Sequence, residues 1–333
     1  MTTSNASLCL LLLLSVSGCA STPAPTTPVT APETQYHARV VAPDTGEALD
    51  VSTLADRLRE MDVVVVGEYH GHHGAHLLQS RLQAALYQRN RQQVLTMEQF
   101  EVNHQPALDR YLAGEIGEAE LIEDAEAWDN YRASYRPLVE FARTRDLPVL
   151  AANAPSDLVR CIGREGPGYL AQLPEQRRQH LPEAPFTDTP AYQDKFVEAI
   201  AGRHGGAAAT LTERLRNTYQ AQLLRDNTMA SRILAAHDRY PGHQVLHLTG
   251  TFHSEDRLGT VALLAQRAPE LEIAVISPVF WPSDQPQPAL DDLRGKGNYL
   301  YFIQPLPDEF RDAERARAAM TERFSRSSAV NCD

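Results

Sequence analysis

The residues able to do chemistry stand at the ends of short apolar runs. Run 63–66 is followed by Gly67-Glu68-Tyr69-His70, run 94–97 by Glu98, run 149–152 by Asn153, and run 245–248 leads to Gly250-Thr251-Phe252-His253. Gly-x-x-His therefore occurs twice, with a carboxylate strand end between. Imidazole and carboxylate ligands together suit zinc, manganese or iron, which makes His70, Glu98 and His253 a candidate set for a divalent metal. A metal there activates water, and Glu68 would serve as the general base if the chain is an enzyme. The competing reading is structural: the histidines cap helices and the glutamates pair with arginines, because polar groups at strand ends need partners.

Two further clusters bear on ligands. His70, His72, His73 and His76 are four of the chain's twelve histidines within seven positions. A helix starting near Gly71 would put His72 and His76 on one face at i,i+4, able to chelate a metal or meet haem propionates; a solvated helix start is the alternative. Trp128, Tyr131 and Tyr135 stand close together ahead of a helical stretch. Such aromatics line a flat apolar ligand such as a porphyrin, and a tyrosine phenolate is an accepted axial ligand of ferric haem. Core packing with a satisfied hydroxyl is their other reading.

These residues need elements to position them. The runs 63–66, 94–97, 149–152, 245–248 and 273–276 are apolar apart from Thr96 and His247 rather than alternating, as parallel strands buried on both faces are, and 299–303 reads as a further strand. Helical patterns at 75–89, 135–144, 156–163 and 256–267 lie between them. The fold class is therefore α/β, a mostly parallel sheet flanked by helices. A helical insertion at about 165–239, broken by Pro174, Pro182, Pro185 and Pro190, precedes the fourth core strand as a lid or subdomain. In open sheets of this kind ligands bind beyond the carboxyl ends of the strands, which is where the polar residues fall.

The N-terminus reads as a processing segment. Residues 8–16 are apolar and end at Val16-Ser17-Gly18-Cys19, a lipoprotein signal in which residues 1–18 are removed and Cys19 carries lipid. Residues 19–34 form a Pro/Thr-rich tether, 35–310 the α/β domain and 311–333 a C-terminal helix or tail. The expected location is the outer membrane, facing the periplasm or the cell surface, with the lipid as the membrane contact. In that oxidising setting Cys161 and Cys332 are left; their pairing stays open, with the polar tail around Cys332 arguing against it. The absence of CxxCH excludes covalent c-type haem attachment. A formal charge of -12 argues against nucleic acid and against a basic membrane-binding face.

The motifs resemble the ChaN family of haem-binding lipoproteins, in one superfamily with the Tiki proteases and erythromycin esterase. The resemblance is carried by Val63-Val64-Val65-Val66-Gly67-Glu68-Tyr69-His70, Glu98, Trp128, Tyr135-Arg136-Pro137-Leu138, Leu147 through Pro155, Gln222, Asp226-Asn227-Thr228-Met229-Ala230 and Gly250-Thr251-Phe252-His253. It implies a haem-binding protein of iron or haem uptake or storage, a homodimer enclosing the haems, a tyrosine axial ligand, and an outer-membrane haem receptor as partner. Tyr131, Tyr69 and Tyr192 are the candidate ligands, with Tyr131 favoured by its aromatic neighbourhood; His72, Trp128 and Asn153 complete the expected cofactor site. The superfamily's enzymes use the two Gly-x-x-His motifs and the intervening glutamate. That implies the alternative of a metal-dependent hydrolase acting on a small molecule through His70, Glu98 and His253.

Overall fold

The computed structural model describes residues 29–204, 212–328 and 331–332, so Cys19 and the signal segment lie outside the described residues. Eight strands form one sheet: β1 (Arg39–Ala42), β2 (Glu47–Leu49), β3 (Val63–Glu68), β4 (Gln93–Glu101), β5 (Val149–Asn153), β6 (Gln244–Gly250), β7 (Ile273–Phe280) and β8 (Tyr299–Ile303). Their order is β2-β1-β8-β7-β3-β6-β4-β5. The last six in that order are mutually parallel, and the β1–β2 hairpin adds antiparallel to the β8 edge.

Period two along the strands explains why unbroken apolar runs are needed. Val64 and Val66 point into one core with Leu78, Leu82 and Leu86 of the helix His73–Arg89. Val63 and Val65 point into the other, with Ala230, Ile233 and Ala236 of the helix Glu213–Arg239 and Val261 and Leu264 of the helix Thr260–Arg267. Polar side chains within the covered strands are paired with each other, as Thr96 of β4 is with its neighbour His247 of β6 at 2.9 Å.

Two features differ from the sequence expectation. The insertion divides: its second half, Glu213–Arg239, is a core-covering helix packed on β4, β5 and β6, while Pro190–His204 stands over the carboxyl edge of the sheet. The pairing of Cys161 and Cys332, which the polar tail argued against, is made, with Cα atoms 5.6 Å apart. The disulfide ties Cys332, beyond the helix Ala313–Ser328, to Cys161 on the buried face of the helix Ser156–Glu165. Among the described residues no helix is long and apolar enough to cross a membrane.

Candidate functional site

The strand order places β3 between β7 and β6, and the helix following β3 covers one face while that following β6 covers the other. Between these divergent connections opens the crevice in which such sheets bind ligands. Here it is a cavity of about 600 Å³ lined by Glu68, Tyr69, His70, Gln222, the segment 250–253, Glu255 and, from the helix Pro190–His204, Phe196 and Ala199.

Each histidine of the two Gly-x-x-His motifs is held by its own carboxylate. His70 Nδ1 is 2.8 Å from Glu68 Oε1. Glu68 is buried and also accepts from the Tyr135 hydroxyl at 2.6 Å, Gln79 Nε2 at 2.6 Å and Gln99 Nε2 at 3.2 Å. His253 Nδ1 is 2.9 Å from Asp226 Oδ1, and Asp226 accepts in addition from Thr260 (2.9 Å) and Tyr192 (2.7 Å). Carboxylates with several donors stay fixed, and each fixes its imidazole with Nδ1 as the donor and Nε2 turned to the site.

Glu98 stands between the pairs. Its Oε2 accepts from the Gly250 amide (2.6 Å) and the Thr249 hydroxyl (2.7 Å), and Oε1 lies 3.5 Å from His253 Nε2. Burial pushes its pKa up, but the positive charges of His253 and His70 and the two hydrogen bonds outweigh it and bring the carboxyl down to about 2. Burial likewise works against the charge of His253 and His70; the Asp226 and Glu98 charges for the first, and the Glu68 hydrogen bond with the Glu98 charge for the second, raise both above the ordinary histidine value. The gathering depends on Gly250, where a Cβ would sit 2.9 Å from His70 Nε2. Gly259, at φ +57°, is needed as well, since a Cβ there would lie 2.8 Å from Asp226 Oδ1.

Asn153 joins this edge from β5, its side-chain oxygen accepting from Arg225 at 3.1 Å. Trp128 stands edge-on to His70, ring centroids 4.9 Å apart. His72 does not reach the site. It is the buried N-cap of the helix His73–Arg89, Nδ1 accepting from the amides of Gly74 and Ala75 and Nε2 bonded to the Gln304 carbonyl. His76 is buried on Gln79 and the Gly71 amide, so the two share no ligand.

The three tyrosines separate cleanly. Tyr131 is packed on Phe100 within the core, and its hydroxyl is buried without a partner among the described residues, so it cannot meet a ligand iron. Tyr192 is buried and committed to Asp226. Tyr69 alone of the three lines the cavity, half-buried, its ring stacked on Phe280 with centroids 4.2 Å apart. Its hydroxyl has no partner among the described residues, and the neighbouring Thr251 hydroxyl is a buried orphan on the same wall.

The donors do not form the expected metal triad. His70, Glu98 and His253 converge, but Glu98 Oε2 is spent on backbone and hydroxyl donors. Among the described residues no group of three or more His, Cys, Asp or Glu is arranged to hold a metal ion. Glu68, expected as a base toward water, is likewise buried under four donors, one of them His70. Haem fits better: aromatic walls from Phe196, Phe252 and Tyr69, an uncommitted phenol, and an orphaned hydroxyl. Asp226, Gln222 and Arg225 carry more of the site than the strand-end motifs suggested. Their signal was polar residues recurring at one-turn spacing, 222, 225 and 226, beside the buried stripe of one helix.

The family profile described as haem-binding uptake, Tiki superfamily, ChaN matches residues 54–264. No curated protein matches the chain. Among solved structures it is similar to one described as cofacial heme binding to ChaN of Campylobacter jejuni, at 18% identity and TM-score 0.59, over 80% of this chain and 97% of that one. A mutant of the erythromycin esterase EreC, in its open conformation, aligns at 14% identity and TM-score 0.44, over 82% of this chain and 84% of the other. The first shares the α/β fold.

Proposed function

The chain belongs to the ChaN haem-binding uptake family of the Tiki superfamily, and from that premise we propose that it takes ferric haem into the cavity at the carboxyl edge of the sheet with Tyr69 as the axial ligand. The observation that carries the choice of ligand is the state of the three phenols: Tyr131 and Tyr192 are sealed in the interior, and Tyr69 faces the cavity without a partner among the described residues. Bound haem supplies an electron-poor iron that favours a phenolate oxygen. The chain supplies the rest: Phe280 fixes the Tyr69 ring, Phe196 and Phe252 offer apolar walls, and Trp128 holds the His70 side of the site. One face of a single chain's cavity stays open, which supports a second copy closing it as a homodimer. The Cys19 signal supports a lipid anchor at the outer membrane, from which haem passes to or from a receptor. Titration of the full chain with ferric haem, followed by sizing, tests the reading. A saturable Soret shift with a dimeric product is expected; no spectral change at stoichiometric haem overturns it.

A second reading is favoured by one observation, the pair of carboxylate-oriented imidazoles. Glu68 and Asp226 fix His70 and His253 through Nδ1, leaving Nε2 of each toward the site. That arrangement suits a hydrolase in which His70 Nε2 takes a proton from attacking water while His253 and Glu98 handle charge on the substrate, and a histidine pKa near the working pH serves such transfer. Turnover of activated esters that is lost in His70→Asn and unaffected in Tyr69→Phe is its expected signature; no turnover by purified protein removes it.

A further inference from the structure

The cavity has a cationic neighbour that neither reading uses. Arg225 lies one turn along the helix Glu213–Arg239 from the cavity residue Gln222 and directly before Asp226, which holds His253. Its guanidinium is half-buried at the ends of β4 and β5 and, among the described residues, makes one hydrogen bond, from Nη1 to Asn153 Oδ1 at 3.1 Å. Glu98, Glu101 and Asp226 surround it closely enough to support its charge, yet none of the three is within ion-pair distance. Both His70 and His253 feel its charge, which fixes it beside the centre of the site. None of its nitrogens is sealed from solvent without a partner. A guanidinium carries five N–H donors in a planar fork matched to carboxylate and phosphate oxygens. The protein uses one of the five donors, so the rest of the fork is open to a ligand.

We propose that Arg225, with the Asn153 carboxamide beside it, is an anion subsite that grips a carboxylate or phosphate group of the ligand bound in the cavity. The neighbouring carboxylates balance the guanidinium charge without occupying its fork, so the fork remains available to the ligand. Asn153 orients Arg225 through its oxygen. Two sources share this chemistry, the propionates of haem and the anionic group of a smaller ester or phosphate substrate.

Two probes separate them, and the failure of the haem reading is distinguishable from failure of the subsite. Ferric haem and its dimethyl ester are titrated against the full chain and against Arg225→Gln. The subsite predicts that the wild type binds haem about tenfold or more tightly than the ester, as expected for a lost charged hydrogen bond, and that Arg225→Gln binds both at the level of the ester. If the wild type gives no Soret change with either porphyrin, the haem reading fails, and inorganic phosphate followed by NMR of labelled arginine and histidine decides the subsite. A saturable shift of the Arg225 side-chain signal, absent in Arg225→Gln, supports it; no shift overturns it. Asn153→Asp guards against misfolding of the arginine variant: an internal carboxylate beside the fork occupies it, and anion affinity falls while the cation remains. Haem discrimination that persists unchanged in both variants overturns the proposal.

Discussion

Replacing Glu98 with glutamine removes one charge and little else. Glutamine is nearly isosteric, and its oxygen still accepts from the Gly250 amide and the Thr249 hydroxyl. What is lost is the attraction to His253 and His70 that, against burial, holds the carboxyl near 2 instead of 4.5. A lowered carboxyl pKa stabilises the folded state above the unfolded value and is lost as pH falls through the folded one. The window is therefore pH 4.5 down to about 2, and the shift corresponds to about 3 kcal/mol. The same energy appears in the raised pKa values of the histidines and is counted once. Urea unfolding, followed by the fluorescence of Trp128, which stands against His70, reads it out. Glu98→Gln should be less stable than the wild type by about 3 kcal/mol at pH 6, and the gap should close as pH falls from 4.5 towards 2. Equal stability at pH 6, or a gap that stays constant through the acid range, refutes the electrostatic account of the site.

Other substitutions probe single links. Tyr131→Phe removes a buried hydroxyl that has no partner among the described residues, so unfolding free energy should change by less than about 0.5 kcal/mol; a loss above about 1.5 kcal/mol would reveal a bond that the structure does not contain. Tyr192→Phe strips one of three donors from Asp226 and should cost about 1–3 kcal/mol in the same assay, where an unchanged midpoint would contradict the buried hydrogen bond. The raised pKa of His253 contributes stability that is complete below pH 6.5 and declines as pH rises through its folded value. His253→Gln should flatten the profile above pH 6.5, and a profile identical to the wild type would count against the Asp226 pairing. Reduction of the Cys161–Cys332 bond releases the exposed helix Ala313–Ser328, so limited proteolysis should cut near the C-terminus faster with dithiothreitol; equal rates would show that other contacts hold the segment.

The sheet is legible in the sequence because its chemistry is periodic. Runs such as 63–66 and 273–276, apolar at every position, have no stable place except between two helical layers, and they appear with the other four as parallel strands. The β1–β2 hairpin is not legible: β1 is buried on both faces, but its apolar run is only Val40-Val41-Ala42, and the three-residue β2 at the edge buries Leu49 alone, too little to stand out as a strand pattern. The gathering of Glu68, His70, Glu98, Asn153 and His253 follows from their place at carboxyl ends of strands. Their roles do not follow, because a carboxylate that orients an imidazole and one that takes a proton have the same letter. Asp226 and Arg225 show the limit most clearly. They sit in the interior of a long helix, where only their place on the buried stripe separates them from solvated neighbours. Which tyrosine faces the cavity was not legible either: Tyr69 lines it and Tyr131 does not. Tyr131 has aromatic neighbours on both sides in sequence, but in the fold its ring packs on Phe100 in the core.

The proposed coordination of iron by Tyr69 would displace a proton that burial, with Glu255, holds more tightly than in a free phenol. Haem affinity should therefore rise with pH across the neutral range, up to about tenfold per unit. The most direct test is a side-by-side ferric haem titration of the wild type, Tyr69→Phe and Tyr131→Phe at one pH. The account predicts one saturable Soret transition shared by the wild type and Tyr131→Phe and absent from Tyr69→Phe. An unaltered transition in Tyr69→Phe, or its loss in Tyr131→Phe alone, would contradict it.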